Sequence, residues 1–132
     1  MNRHAKGFIG VVIGVSCSVQ AVTRTWLSST GGVWTSTANW SDNTIPGVGD
    51  TADLSAVTGA VDVTENIAVG AILYNPAFSG TTNTLTLLSD TAAPGSRSIT
   101  LTTAAPSQIQ VGEGAQLLID ADLTPTVDVV KD

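Results

Sequence analysis

Trp26, Trp34 and Trp40 are the only tryptophans of the chain, whose aromatic content is just 5%. Indole faces suit the apolar faces of pyranose sugars, and Asp42 and Asn43 follow Trp40 closely enough to offer oxygens to sugar hydroxyls. On that reading Trp26, Trp34, Trp40 and Asp42 form a ligand platform for an extracellular polysaccharide. The same rings suit a structural use, as a lid over an open end of β-structure. Each indole buries about 200 Å² while its N–H finds a loop carbonyl.

The carboxylates are the second candidate. In "PGVGDTAD", Asp50 and Asp53 are candidate calcium ligands, with Asp42 as a third oxygen donor. Calcium wants six to eight oxygens, and the dense acidic spacing of calcium loops is absent. The competing reading is a turn, in which Gly47 and Gly49 permit a tight reversal and Asp50 accepts backbone N–H groups before a strand begins. The turn is preferred, so no metal and no cofactor is expected. A glycosidase needs two opposed carboxyls about 5–9 Å apart. Asp62 with Glu65, or Glu113 with Asp120, are the conceivable pairs. Asp62 alternates with Val61 and Val63, however, and Glu113 sits between two glycines, so the chain is read as non-catalytic.

Histidine and cysteine chemistry depends on the N-terminus. Residues 1–21 read as a secretory signal: Arg3 and Lys6, then the apolar run from Gly7 to Val15, then Val19-Gln20-Ala21 before the cleavage point. The apolar run is too short for a bilayer span, which needs about 20 residues. Cleavage after Ala21 removes His4 and Cys17, the only residues of their types. Cys–His zinc sites and His-dependent nucleophiles are then excluded. In what remains, eleven carboxylates face Arg24, Arg97 and Lys131, for a net charge of −8 (3 − 11). Such a chain repels nucleic acid phosphates and anionic lipid, and no membrane span is expected in the mature chain.

The elements that must position these residues are short strands. Apolar pairs recur two apart: Val61/Val63, Ile67/Val69, Leu85/Leu87, Ile99/Leu101, Ile109/Val111, Leu117/Ile119 and Val127/Val129. Alternation puts each pair on one face of a strand. Turn residues separate them at Asn75-Pro76, Ser79-Gly80, Ala93-Pro94-Gly95, Ala105-Pro106-Ser107, Gly112-Glu113-Gly114 and Thr124-Pro125. This gives about seven strands and no long helix. The strands are too brief and too poor in aromatic anchors for an ordinary β-sandwich, which stands as the alternative. A parallel β-solenoid with about three coils is preferred. A solenoid's first coil needs a cover, which favours the lid reading of the tryptophans. Thr-x-Thr steps in Thr81–Leu87 and Ile99–Thr103 raise a third use, an outward threonine ladder for ice or crystal surfaces. Without fixed spacing they read as ordinary strand residues.

The order Trp26, Gly32, Trp34, then "STANW" (Ser36 to Trp40), then "IPGVGDTADLS" (Ile45 to Ser55) resembles a known pattern. It is similar to the N-terminal segment of secreted bacterial proteins carrying autotransporter-associated β-strand repeats, many with a C-terminal sorting signal. The resemblance covers Thr25 to Val69 and implies a right-handed parallel β-helix in an extracellular or cell-surface setting, without implying a reaction. The expectation is therefore an all-β chain with a signal peptide (1–21), a Trp-rich cap segment (22–55) and solenoid coils (56–132). The strand-like ending "TVDVVKD" reads in two ways, as the truncated end of a longer set of coils or as a solenoid with an open end. Its expected role is structural or adhesive, at the cell surface or in its matrix. The alternative is a carbohydrate-binding or carbohydrate-active module that uses the Trp cluster.

Overall fold

In the computed structural model, residues 20–77, 82–89, 97–102 and 109–125 are described. Strands form where side chains alternate inward and outward, with two or three apolar residues inward in the longer segments and a mixture of polar and apolar residues outward. In chain order these are β1 (Thr23–Thr25), β2 (Gly32–Val33), β3 (Thr51–Asp53), β4 (Gly59–Val63), β5 (Ile67–Val69) and β6 (Ala71–Tyr74). There follow β7 (Asn83–Ser89), β8 (Ser98–Leu101), β9 (Ile109–Val111), β10 (Ala115–Asp120) and β11 (Asp122–Pro125). They assort into three sheets: β1-β3-β6-β9, β2-β4-β7-β10 and β5-β8-β11. The chain visits the sheets in that order on each turn, so β3–β5, β6–β8 and β9–β11 are three complete coils. Ahead of them, β1 and β2 start a coil that has no strand in the third sheet.

Every strand pairing is parallel. That is the pattern of a parallel β-helix and not of a β-sandwich, whose sheets are antiparallel. The register stacks like on like. Ala52 pairs with Ile72, and Ile72 with Ile109. Val61 pairs with Leu87, and Leu87 with Ile119. Ile67 pairs with Ile99, and Ile99 with Leu123. These columns fill the interior, where Val61, Val63, Leu85, Leu87, Ile99 and Leu101 are fully buried. A one-residue slip would turn every such column outward, so burial itself holds the register.

Corners use the residue types that turns require. Gly70 alone links β5 to β6, and a Cβ there would lie 2.5 Å from the Gly49 carbonyl carbon. The Asn66 side chain accepts from Ser98 N on the next coil at 3.0 Å, tying one corner to its neighbour.

Six of the seven anticipated apolar pairs lie on β4, β5, β7, β8, β9 and β10. Val127/Val129 falls outside the described residues, as do the turns at Ser79-Gly80, Ala93-Pro94-Gly95 and Ala105-Pro106-Ser107. Asn75 and Gly112–Gly114 do separate strands. Thr124-Pro125 is a correction, because both residues belong to β11. This strand lies at the edge of its sheet, where a proline's missing N–H is tolerated.

Candidate functional site: the tryptophan cap

The backbone of Trp26 extends the first sheet, its N–H donating to Asp53 O at 2.8 Å. Trp34 extends the second in the same way, donating to Asp62 O at 2.8 Å. Where later coils enter the third sheet, the opening coil instead makes two 3-10 turns, Thr37–Asn39 and Ser41–Asn43. Between them Trp40 returns to meet Trp26 in an isolated antiparallel bridge. Leu27 N donates to Asn39 O at 2.8 Å alongside it. The missing strand of the first coil is thus replaced by a lid.

The three rings pack on one another. Trp40 meets Trp26 edge to face with centroids 4.9 Å apart and an interplanar angle of 86°. It meets Trp34 at 4.9 Å and 66°. Such edge-to-face pairs add about 0.5–1.5 kcal/mol beyond area burial. Trp40 Nε1 donates to Trp34 O at 2.8 Å, which locks the lid onto the end of β2. Trp26 Nε1 and Trp34 Nε1 are buried without a hydrogen-bond partner. All three residues are 0% exposed. No indole face is open to solvent, so stacking on a sugar requires the lid to lift.

Around the rings, small residues make the closure possible. Gly32 has φ of 141°, and a Cβ there would come within 2.9 Å of Asn39 Nδ2. That amide donates to Val33 O at 3.1 Å, pinning the first 3-10 turn to β2.

Asp42 stands at the lip of the lid with φ of 57°. Its carboxylate pairs with Arg24 Nη1 at 3.3 Å, and its side chain is 80% exposed against 19% for Arg24. Arg24 is the residue that sequence reasoning passed over. It pairs in register with buried Ala52, so it occupies the first position of an inward column. An inward charge on an edge strand blocks further pairing there. Thr-Arg-Thr carries no apolar pair, so its inward position is given by the pairing with Ala52 and not by the sequence.

The other carboxylates serve the backbone. Asp50 Oδ2 accepts from Gly47 N at 3.0 Å and Oδ1 from Val22 N at 3.2 Å. Asp50 N donates back to Gly47 O at 3.0 Å, and Gly49 takes φ of 87°. Asp53 Oδ1 accepts from Ser55 N at 3.0 Å. Among the described residues, no three His, Cys, Asp or Glu side chains gather in a metal-binding group. Asp62 lies between buried Val61 and Val63 and so faces outward on β4. Glu113 and Asp120 are both exposed on the last coil.

Tyr74 is fully buried behind the cap, and its hydroxyl donates to Val57 O at 3.3 Å. Burial pushes its pKa above the usual value. The outer face of the second sheet interrupts any threonine ladder, since Thr86 is flanked by Ala60 and Leu118. Among the described residues, no helix is long and apolar enough to cross a membrane. No protein family, no curated protein and no solved structure matches the chain.

Proposed function

We propose that this chain is a non-catalytic β-helix module that acts outside the cell, as a structural or adhesive element of the cell surface or its matrix. The observation that carries the reading is the use made of its reactive-looking residues. The three tryptophans are fully buried in one cluster. Asp50 and Asp53 hold turn N–H groups, and Asp42 pairs with Arg24. What the molecule presents to its surroundings is a stack of short parallel strands whose outward positions mix polar residues such as Thr84, Thr86 and Gln116 with Ala60 and Leu118, a repetitive surface suited to spacing and contact.

Export is supported by the charge, apolar and small-residue order of residues 1–21, and the mature surface is acidic. Kinship with secreted bacterial proteins carrying autotransporter-associated β-strand repeats is supported by the Trp, Asn-Trp, Pro-Gly and Gly-Asp-Thr-Ala order between Thr25 and Val69. The β-helix built by the described residues agrees with it. Fractionating cells that produce the protein tests the role. Retention on the cell surface or matrix, reversed by surface washing or shaving, is the expected result. A freely soluble protein in the medium, binding neither cells nor matrix, overturns the adhesive reading.

A further inference from the structure

Val22 follows the cleavage point expected after Ala21, and its backbone nitrogen donates to Asp50 Oδ1 at 3.2 Å. The other oxygen of that carboxylate holds Gly47 N at 3.0 Å, so the turn aims it. Val22 O accepts from Thr51 N at 2.9 Å, which fixes the same residue to β3. Gln20 and Ala21, just before it, are exposed and belong to no strand. We infer that processing at the Ala21–Val22 bond converts this contact into an ion pair between the new α-ammonium of Val22 and Asp50. The inference rests on the exported reading proposed above.

The step is a hydrolysis by an endopeptidase of the export machinery. Water adds its oxygen to the Ala21 carbonyl carbon, which leaves as a carboxylate. The electrons of the broken C–N bond stay on the Val22 nitrogen, which gains protons and is largely an ammonium below its ordinary pKa of about 7.7–8.0. One amide donor becomes three charged ones, and charge-assisted hydrogen bonds are about twice as strong as neutral ones. Three other charged groups bear on this corner. Arg24 lies further along β1 and is paired with Asp42. Asp53, opposite Thr25, is held by Ser55 N. Maturation therefore fastens the first strand to the turn that leads from the lid into β3.

The test begins with the exported protein, whose intact mass and N-terminal sequence are expected to start at Val22. Urea unfolding then compares that chain with its Nα-acetylated form and with a form extended by Ala21, each carrying Asp50 or Asp50→Asn. With Asp50, blocking or displacing the amine is expected to lower the folding equilibrium constant about two- to fivefold, the range of a partly exposed ion pair. With Asp50→Asn no such difference is expected. The difference is full at about pH 6–7, where both partners are charged, and disappears as pH rises past about 8–9, where the ammonium is lost. Should Asp50→Asn not fold, this pH dependence in the Asp50 chain decides. An equal effect of acetylation in both backgrounds, or one independent of pH, overturns the ion pair. An exported chain cleaved elsewhere overturns the inference while leaving export intact, whereas an uncleaved intracellular chain overturns the export reading itself.

Discussion

On the first rung, the inward column that runs through Ile109, Ile72 and Ala52 stops at Arg24, and three fully buried tryptophans close the space beside it. On the last described rung, Ile109, Leu117, Ile119 and Leu123 occupy the same kinds of inward position but are only partly buried. Leu118, on the outer face of β10, is 46% exposed. Both rungs obey one alternation rule, yet one is sealed and the other, among the described residues, pairs with a single neighbouring coil. Alternation decides which way a side chain points. Whether it is covered depends on the rung above it.

That contrast can be broken by substitution. The largest loss is expected for Trp40→Ala, which removes both edge-to-face contacts and the Trp34 O hydrogen bond. It should cost about 3–5 kcal/mol, a large share of the stability of a small domain. Denaturant unfolding followed by circular dichroism would read it, and a loss near zero would mean that the lid does not seal the first coil. Next come two residues in one column. Leu87→Ala in the middle rung should cost about 2–5 kcal/mol, and Ile119→Ala on the last rung about 1–2 kcal/mol, because a half-buried side chain leaves a smaller cavity. Equal costs would show the last rung to be as well covered as the middle.

Tyr74 offers a probe in which pH takes the place of truncation. Its folded pKa is raised by burial, so its contribution is fully present below the unfolded value of about 10 and is lost as pH rises through the folded one. Stability should decline at alkaline pH, and Tyr74→Phe should flatten that decline while losing about 1 kcal/mol at neutral pH with the Val57 hydrogen bond. An unchanged alkaline slope would count against burial of the ring. The smallest effect belongs to Asp42→Ala. Its exposed pair with Arg24 is worth less than about 1 kcal/mol, and the loss should shrink further in high salt. A much larger loss would move the seal from the tryptophans to the charge.

The sequence made the middle of this molecule legible and its first coil much less so. Val61/Val63, Leu85/Leu87 and Ile99/Leu101 have strict period-two spacing in apolar residues, and all are buried as the spacing demands. The strands β1 and β2 escaped notice because Thr-Arg-Thr and Gly-Val carry no apolar pair. Their place in the sheets comes from the rung above them, with Arg24 on Ala52 and Gly32 on Val61. The strand β6 was hidden for a different reason. Only Gly70 parts it from β5, and one glycine gives no hint that the chain changes sheets. In the cap, spacing marked the tryptophans as a group, but the packing of Trp40 between the other two depends on the 3-10 turns. The second of those turns rests on the left-handed backbone of Asp42 and Asn43, a conformation that composition does not announce.

The central claim is that the tryptophan cluster is a sealed lid and not an open platform, and tryptophan fluorescence tests it most directly. Emission and acrylamide quenching would be measured on the folded protein with and without a panel of polysaccharides. The account predicts blue-shifted emission that resists quenching and is indifferent to every sugar, moving to the red only on unfolding. Red-shifted, readily quenched emission from the folded protein, changing as polysaccharide is added, would contradict it.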